Sequence, residues 1–239
     1  VIHENNTSKN VKYKRRVIMK LITIVLFTIF CFLSLYNYSY SSEIELIGRD
    51  PYGPAVNVFV HNNYAYLCAG GTLIILDLSV PENPMEIGRL DTPGVIREVY
   101  VSGDYAYLAN MSSGLRIVDV SNPNILHEVG YSDSVGMAYG VKVRENFAYI
   151  ADFHGKLHIV DISEPSKPIR IGVLEFIDRV YGLYRSGQYA YIANARSGLQ
   201  IVDISNPIAP YKVGEYKTNS LALGVYVSEN YAYIANDED

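Results

Sequence analysis

The sequence predicts an all-β protein, a β-propeller of four-stranded antiparallel blades, with four complete blades and a partial fifth of a truncated ring. Two observations carry that prediction. A short tyrosine-rich string recurs five times at a nearly constant step, and every period reads as four short strands separated by turn residues.

The string Tyr64-Ala65-Tyr66-Leu67 returns at Tyr105, Phe147, Tyr189 and Tyr231, in steps of 41, 42, 42 and 42 residues. A second string, LIILDLS from Leu73, returns as LRIVDVS, LHIVDIS and LQIVDIS, which places Asp77, Asp119, Asp161 and Asp203 at a constant interval of 42. Pro81, Pro123, Pro165 and Pro207 keep that interval, as do Gly88, Gly130, Gly172 and Gly214. The composition of 22 Tyr, 7 Phe and no Trp follows from copying one Tyr-bearing unit.

Within the second copy, Val99 to Val101 alternates and stops at Ser102-Gly103-Asp104. Tyr105 to Ala109, Leu115 to Val120 and a last strand around Leu126 to Tyr131 follow, each closed by Gly, Asn, Asp or Pro. No window after the leader carries a sustained 3.6-residue apolar period, so no helix is expected there. A four-stranded unit buries neither of its faces alone, so such units stack around an axis. The copies fall near 56–91, 97–131, 139–175, 180–216 and 222–239, within a repeat domain at 42–239.

The consensus L-x-I-V-D-[IV]-S, best matched by Leu115 to Ser121, Leu157 to Ser163 and Leu199 to Ser205, resembles the LVIVD-repeat family of bacterial and archaeal surface propellers. The first copy departs from it with Ile75-Leu76 in place of Ile-Val. The resemblance covers residues 44–239 and implies a surface-exposed interaction module with no reaction of its own.

The first 41 residues read differently. A basic run, Lys14-Arg15-Arg16 with Lys20, precedes the apolar stretch Leu21 to Leu35, and small and polar residues follow to Ser41. That order is the one found in a secretory signal peptide, with Met19 as a suitable start and a cut after Ser41. An uncleaved N-terminal anchor is the alternative, and it is the only route by which a membrane enters as a partner. The expected location is therefore secreted or cell-surface. Removing the leader leaves Cys68 alone, so no internal disulfide is expected. Residues 44–49, IELIGR, resemble a blade's fourth strand and are expected to close the ring, while the fifth copy lacks the strands after its second.

Charge narrows the function classes. Of the 20 Lys/Arg and 25 Asp/Glu, six and one lie in residues 1–41, so the remainder carries 14 basic and 24 acidic side chains, a net charge of −10. Such a body repels phosphate backbones, and nucleic acid is not expected as a partner. No Ser/His/Asp motif, phosphate loop or metal-ligand spacing occurs, and no cofactor or metal is expected.

The recurring Asp77, Asp119, Asp161 and Asp203 read as turn-fixing carboxylates. Asn110, Asp152, Asn194 and Asn236 follow each second strand and read as positions needing left-handed backbone, with a ligand role left open. His154 and His158 align with Arg196 and Gln200, or with Ser112 and Arg116, form no repeated set and read as surface residues, and Cys68, aligned with Ala109, Ala151, Ala193 and Ala235, as a buried filler. The copies diverge in the loops between blades, at 91–98, 132–140, 176–182 and 217–224. There Arg97, Tyr139, Tyr181 and Leu223 share one register position at the mouth of the expected channel, a set that suits an extracellular protein or glycan ligand. The alternative, that the tyrosines only pack on neighbours, stays open.

The expected function is a binding scaffold without catalytic activity. The alternative is a propeller-fold glycan hydrolase or lyase with part of its site in missing blades. Only Glu98, Lys142 and Arg185 break the apolar character of the first strands, and they form no acid pair.

Overall fold

The computed structural model describes residues 55–237. The expected leader at 1–41 and closing strand at 44–49 lie outside the described residues. The described residues form eighteen strands, and the only helical turn among them is 3-10, at Asp133–Val135.

They form four antiparallel sheets of four strands in sequence order. The first is β1 (Ala55–His61), β2 (Tyr64–Ala69), β3 (Thr72–Asp77) and β4 (Met85–Asp91). The second is β5 (Glu98–Ser102), β6 (Tyr105–Ala109), β7 (Leu115–Asp119) and β8 (His127–Ser132). The third is β9 (Ala138–Arg144), β10 (Phe147–Asp152), β11 (Lys156–Asp161) and β12 (Ile169–Glu175). The fourth is β13 (Gly182–Ser186), β14 (Tyr189–Ala193), β15 (Leu199–Asp203) and β16 (Tyr211–Tyr216). A two-stranded sheet, β17 (Leu221–Ser228) with β18 (Tyr231–Asp237), completes the array. The first strand of each sheet touches the first strand of the next, as in propeller blades stacked on their inner edges. The described sheets are not closed into a ring.

The core lies in the seams between blades. One buried cluster joins Tyr66, Cys68, Leu73 and Ile75 of the first blade to Ile96, Val99, Val101 and Leu108 of the second. The next joins Tyr107, Leu115 and Ile117 to Val135, Val141, Val143 and Ile150. The third joins Tyr149, Leu157 and Ile159 to Val180, Leu183 and Ile192. The "L-x-I" of the consensus thus faces forward, while the valines of β5 and β9 and Leu183 of β13 face back, which is why neither face folds alone.

The repeated Gly and Pro meet at these seams. Every fourth strand carries a bulge: Gly130 pairs with Ile117 and Glu128 with Val118, so Val129 is the extra residue and tucks into the seam cluster. At the bulge a methyl group on Gly130 would lie 2.0 Å from the Pro165 carbonyl oxygen of the following blade. Gly88 meets the Pro123 carbonyl at 2.0 Å and Gly172 the Pro207 carbonyl at 2.1 Å in the same way. Only a residue without Cβ lets the two backbones approach that closely.

The recurring aspartates hold the turns as expected. The N–H groups of Ser79, Ser121, Ser163 and Ser205 donate to Asp77, Asp119, Asp161 and Asp203 at 2.7, 2.9, 2.9 and 2.8 Å. These bonds, with those from the serine hydroxyls, hold all four carboxyls below the ordinary range.

Candidate binding site on the inter-blade rim

The loops between blades are held by backbone bonds to the second strands, such as Arg97 N–H to the Ala109 carbonyl, and by a polar side chain at the end of each of β6, β10 and β14. Asn110 Nδ2 donates to Thr92 Oγ1 at 2.7 Å and to the Gly94 carbonyl at 3.3 Å. Asn194 Nδ2 donates to the carbonyls of Asp178 at 2.6 Å and Arg179 at 3.1 Å. Asp152 Oδ1 accepts from the Met137 N–H at 3.1 Å. Each is buried, and each pins the loop leading into its own blade.

This corrects the reading of Asn110, Asp152 and Asn194 as left-handed positions. The left-handed residues are one place later, Met111 at φ 40° and Ala195 at φ 42°, so the polar residue is chosen for its side-chain hydrogen bonds. The first blade explains the one step of 41: its turn between β2 and β3 is a residue shorter, with Gly70 at φ 62°, and the Gly70 and Gly71 carbonyls accept from Ile96 and Thr92 of the loop that Asn110 pins from the other side.

The loops so pinned bring three of the expected rim residues together. The Arg97 guanidinium lies 4.8 Å from the centroid of the Tyr139 ring, and the Tyr139 and Tyr181 rings meet edge to face at 5.7 Å. Two residues not singled out from the sequence complete the cluster. Phe153 stacks on Tyr139 at 5.5 Å and meets Tyr181 edge to face at 5.5 Å, while the Arg179 guanidinium lies 4.8 Å from the Phe153 centroid. All three rings are half-buried. The signal for Phe153 was its replacement by Gly70, Met111 and Ala195 in the other copies, and Arg179 lies in a loop already marked as divergent. Leu223 is not part of this cluster.

Toward the axis, Glu98 forms an ion pair with Lys142 across the seam between the second and third blades, and Glu98 Oε2 accepts from the Val141 N–H at 2.7 Å. Asn57 does the same one blade earlier, accepting from the Val99 N–H at 3.3 Å. Glu98 therefore substitutes for a blade-joining amide.

His158 is not a surface residue: it is 2% exposed in β11, with Nε2 3.5 Å from Asp152 Oδ2, while His154 stays exposed with Nδ1 3.3 Å from Asp152 Oδ1. Burial pushes the Asp152 carboxyl up, but bonds from the His158 imidazole and the His154 N–H outweigh it and hold the group below its ordinary range. Cys68 is fully buried, and burial pushes its thiol pKa up, which fits a filler and not a nucleophile.

Four-stranded blades stacked through their seams, with variable loops pinned on one rim, define a β-propeller-like repeat scaffold. The LVIVD repeat model matches residues 52–92, 93–133, 135–174, 182–218 and 221–239, and the chain belongs to the LVIVD repeat family. No curated protein matches it. Among solved structures it is similar to the computationally designed Ika8 protein, at 10% identity and a TM-score of 0.57 over 80% of this chain and 70% of that one. At that identity the likeness concerns the fold alone.

Proposed function

We propose that this chain is a secreted or cell-surface binding scaffold without catalytic activity, and that its ligand, an extracellular protein or glycan, seats on the rim. The observation that carries this reading is the convergence of Arg97, Tyr139, Phe153, Arg179 and Tyr181, which come from three loops and one turn and of which only the Tyr139–Tyr181 pair repeats an identity at matching positions. Residues that vary on a repeated scaffold yet assemble into one cluster serve a ligand better than they serve the fold.

Two of the acids near the rim are engaged in the fold. Glu98 joins two blades and Asp152 pins a loop, which leaves no pair of carboxylates flanking a common space among these groups.

Two measurements test the reading. Labelled chain is applied to arrays of glycans and extracellular proteins beside the variant Arg97→Gln/Tyr139→Ala/Arg179→Gln. Binding that the triple variant loses supports the rim as the site, and binding that it retains removes the rim from the proposal. Turnover of glycosidase, lyase or esterase substrates that disappears in Glu98→Gln would establish the enzyme alternative. For location, a tagged chain in its producing cell should be found in the medium or be degraded by protease added outside. Protection inside the cell would overturn the export claim.

A further inference from the structure

The rim cluster has a charge pattern that sets it apart from the rest of the molecule. Among the described residues most of the other arginines have an acceptor: Arg116 pairs with Asp133 at 2.9 Å, Arg144 with Glu145 at 3.0 Å, and Arg170 donates to the Ser134 carbonyl at 2.7 Å. Arg97 and Arg179 have neither an ion pair nor a side-chain hydrogen bond among the described residues, and the Arg97 Nε is buried without a partner. Each guanidinium instead lies over an aromatic ring.

The nearby acids are committed elsewhere. Asp152 accepts from Met137 and His154, Glu98 from Val141 and Lys142, and Asp178, beside Arg179, accepts from Ser197 Oγ at 2.8 Å. Arg196, exposed in the same turn as Asn194, adds a third cation to this sector. A net-acidic protein thus gathers unpaired guanidiniums at one place on its rim.

A guanidinium stacked on a ring keeps its N–H fork free at the edge, and that fork matches a carboxylate in two-point geometry. The half-buried rings between the two forks offer flat apolar surface, with the Tyr139 and Tyr181 hydroxyls as donors and acceptors. A ligand that uses all of these needs an anionic group, a rigid ring with one apolar face, and hydroxyls, repeated along a chain so that both arginines are met. An aspartate or glutamate side chain carries the charge on a flexible stem with no face to stack. A uronic acid residue has every feature. Resting on the rim-binding reading above, we infer that Arg97, Tyr139, Phe153, Arg179 and Tyr181 form a subsite for the uronate residues of an acidic glycan.

Calorimetry with the full chain tests this, using oligogalacturonate, its methyl-esterified form, poly-L-glutamate and a single-stranded DNA oligonucleotide as probes. Saturable binding of oligogalacturonate is expected, weakening as salt is raised. The methyl ester, which removes the charge and the two-oxygen acceptor while keeping the sugar ring, should bind about tenfold more weakly. Arg97→Gln and Arg179→Gln should each cost about tenfold, while Arg144→Gln, whose side chain bonds the Gly187 carbonyl away from the cluster, should cost nothing. Arg97→Lys keeps the charge and loses the planar fork, so it should also weaken binding. Thermal melting of each variant separates lost affinity from lost folding.

Equal or tighter binding of poly-L-glutamate or of DNA would overturn the uronate assignment. So would oligogalacturonate binding that survives both arginine variants, or the absence of such binding. A chain that ignores every uronate but loses a protein ligand in the rim triple variant refutes this inference and leaves the scaffold reading standing.

Discussion

The seams between complete blades and the exposed end of the array, at β16 of the fourth blade and β18 of the two-stranded sheet, are built from the same residues in different company. Tyr149, in the seam between the third and fourth blades, is 3% exposed, while its counterpart Tyr233 in β18 is 57% exposed. Gly130 lies beneath a carbonyl of the next blade, whereas a methyl group on Gly214 would meet nothing nearer than Ile201 of its own sheet at 3.6 Å. Val129 packs into a seam, and the matching Val213 is exposed. The conserved spelling of the repeat is therefore not a recipe for a stable blade. It is a recipe for a surface that a neighbour covers, and its energetic value depends on that neighbour.

This comparison can be broken by substituting matched positions and measuring denaturant unfolding. Tyr149→Ala should cost about 4 kcal/mol, as a large buried aromatic does, and Tyr233→Ala less than about 1 kcal/mol. Comparable losses at the two sites would show that the half-blade is packed as tightly as a seam. Gly130→Ala should cost about 3 kcal/mol because two backbones must separate, while Gly214→Ala should change stability by at most about 0.5 kcal/mol. Equal tolerance would show that the seam gives way more easily than its geometry implies.

The rim supplies a smaller contrast. Asn194→Ala removes two hydrogen bonds to the loop carrying Arg179 and should lower stability by about 1–2 kcal/mol. Its effect on ligand affinity should be larger than that of Ser205→Ala, which loosens a turn far from the cluster in sequence.

The weakest effect is on acid stability. The Ser163 N–H and hydroxyl hold the Asp161 carboxyl low, so the folded pKa lies below the unfolded value. The stabilisation is then present above about pH 4 and is lost as the pH falls through the folded pKa. Asp161→Asn should flatten the pH dependence of the melting temperature below about pH 4 by a small amount, since solvent screens an exposed turn. An unchanged slope would mean that the serine bonds do not persist in solution.

The blades were legible in the sequence because a strand period of two, punctuated by Gly, Asn and Pro, repeats at a fixed step. The second blade's expected strands differ from the observed ones by a residue at their ends. The site was half legible. Arg97, Tyr139 and Tyr181 share a register position, so the repeat itself points at them. Phe153 and Arg179 escape because their contacts join different register positions: Phe153 stacks on Tyr139 of its own blade and meets Tyr181 and Arg179 of the next, geometry that a repeat alignment does not carry. The positions of Asn110 and Asn194 were read through backbone propensity, while the structure uses their amides. Both kinds of residue favour Asn, so composition alone could not separate them. His158 was misread for a related reason: its companions Arg116 and Gln200 are also polar, yet the position is interior in its own blade.

The contact between a glycine bulge and the following proline carbonyl has a genetic consequence. Its two halves always belong to different copies, and each copy carries one half of each kind. Excising one whole copy, residues 90–131 for example, would rejoin Gly88 to Pro165 with the spacing of a natural seam. Gain or loss of an intact unit therefore rebuilds the same joint, whereas a one-residue insertion between the bulge and the proline throws that joint out of phase. The number of blades is free to drift during descent while the interval between Gly and Pro is not.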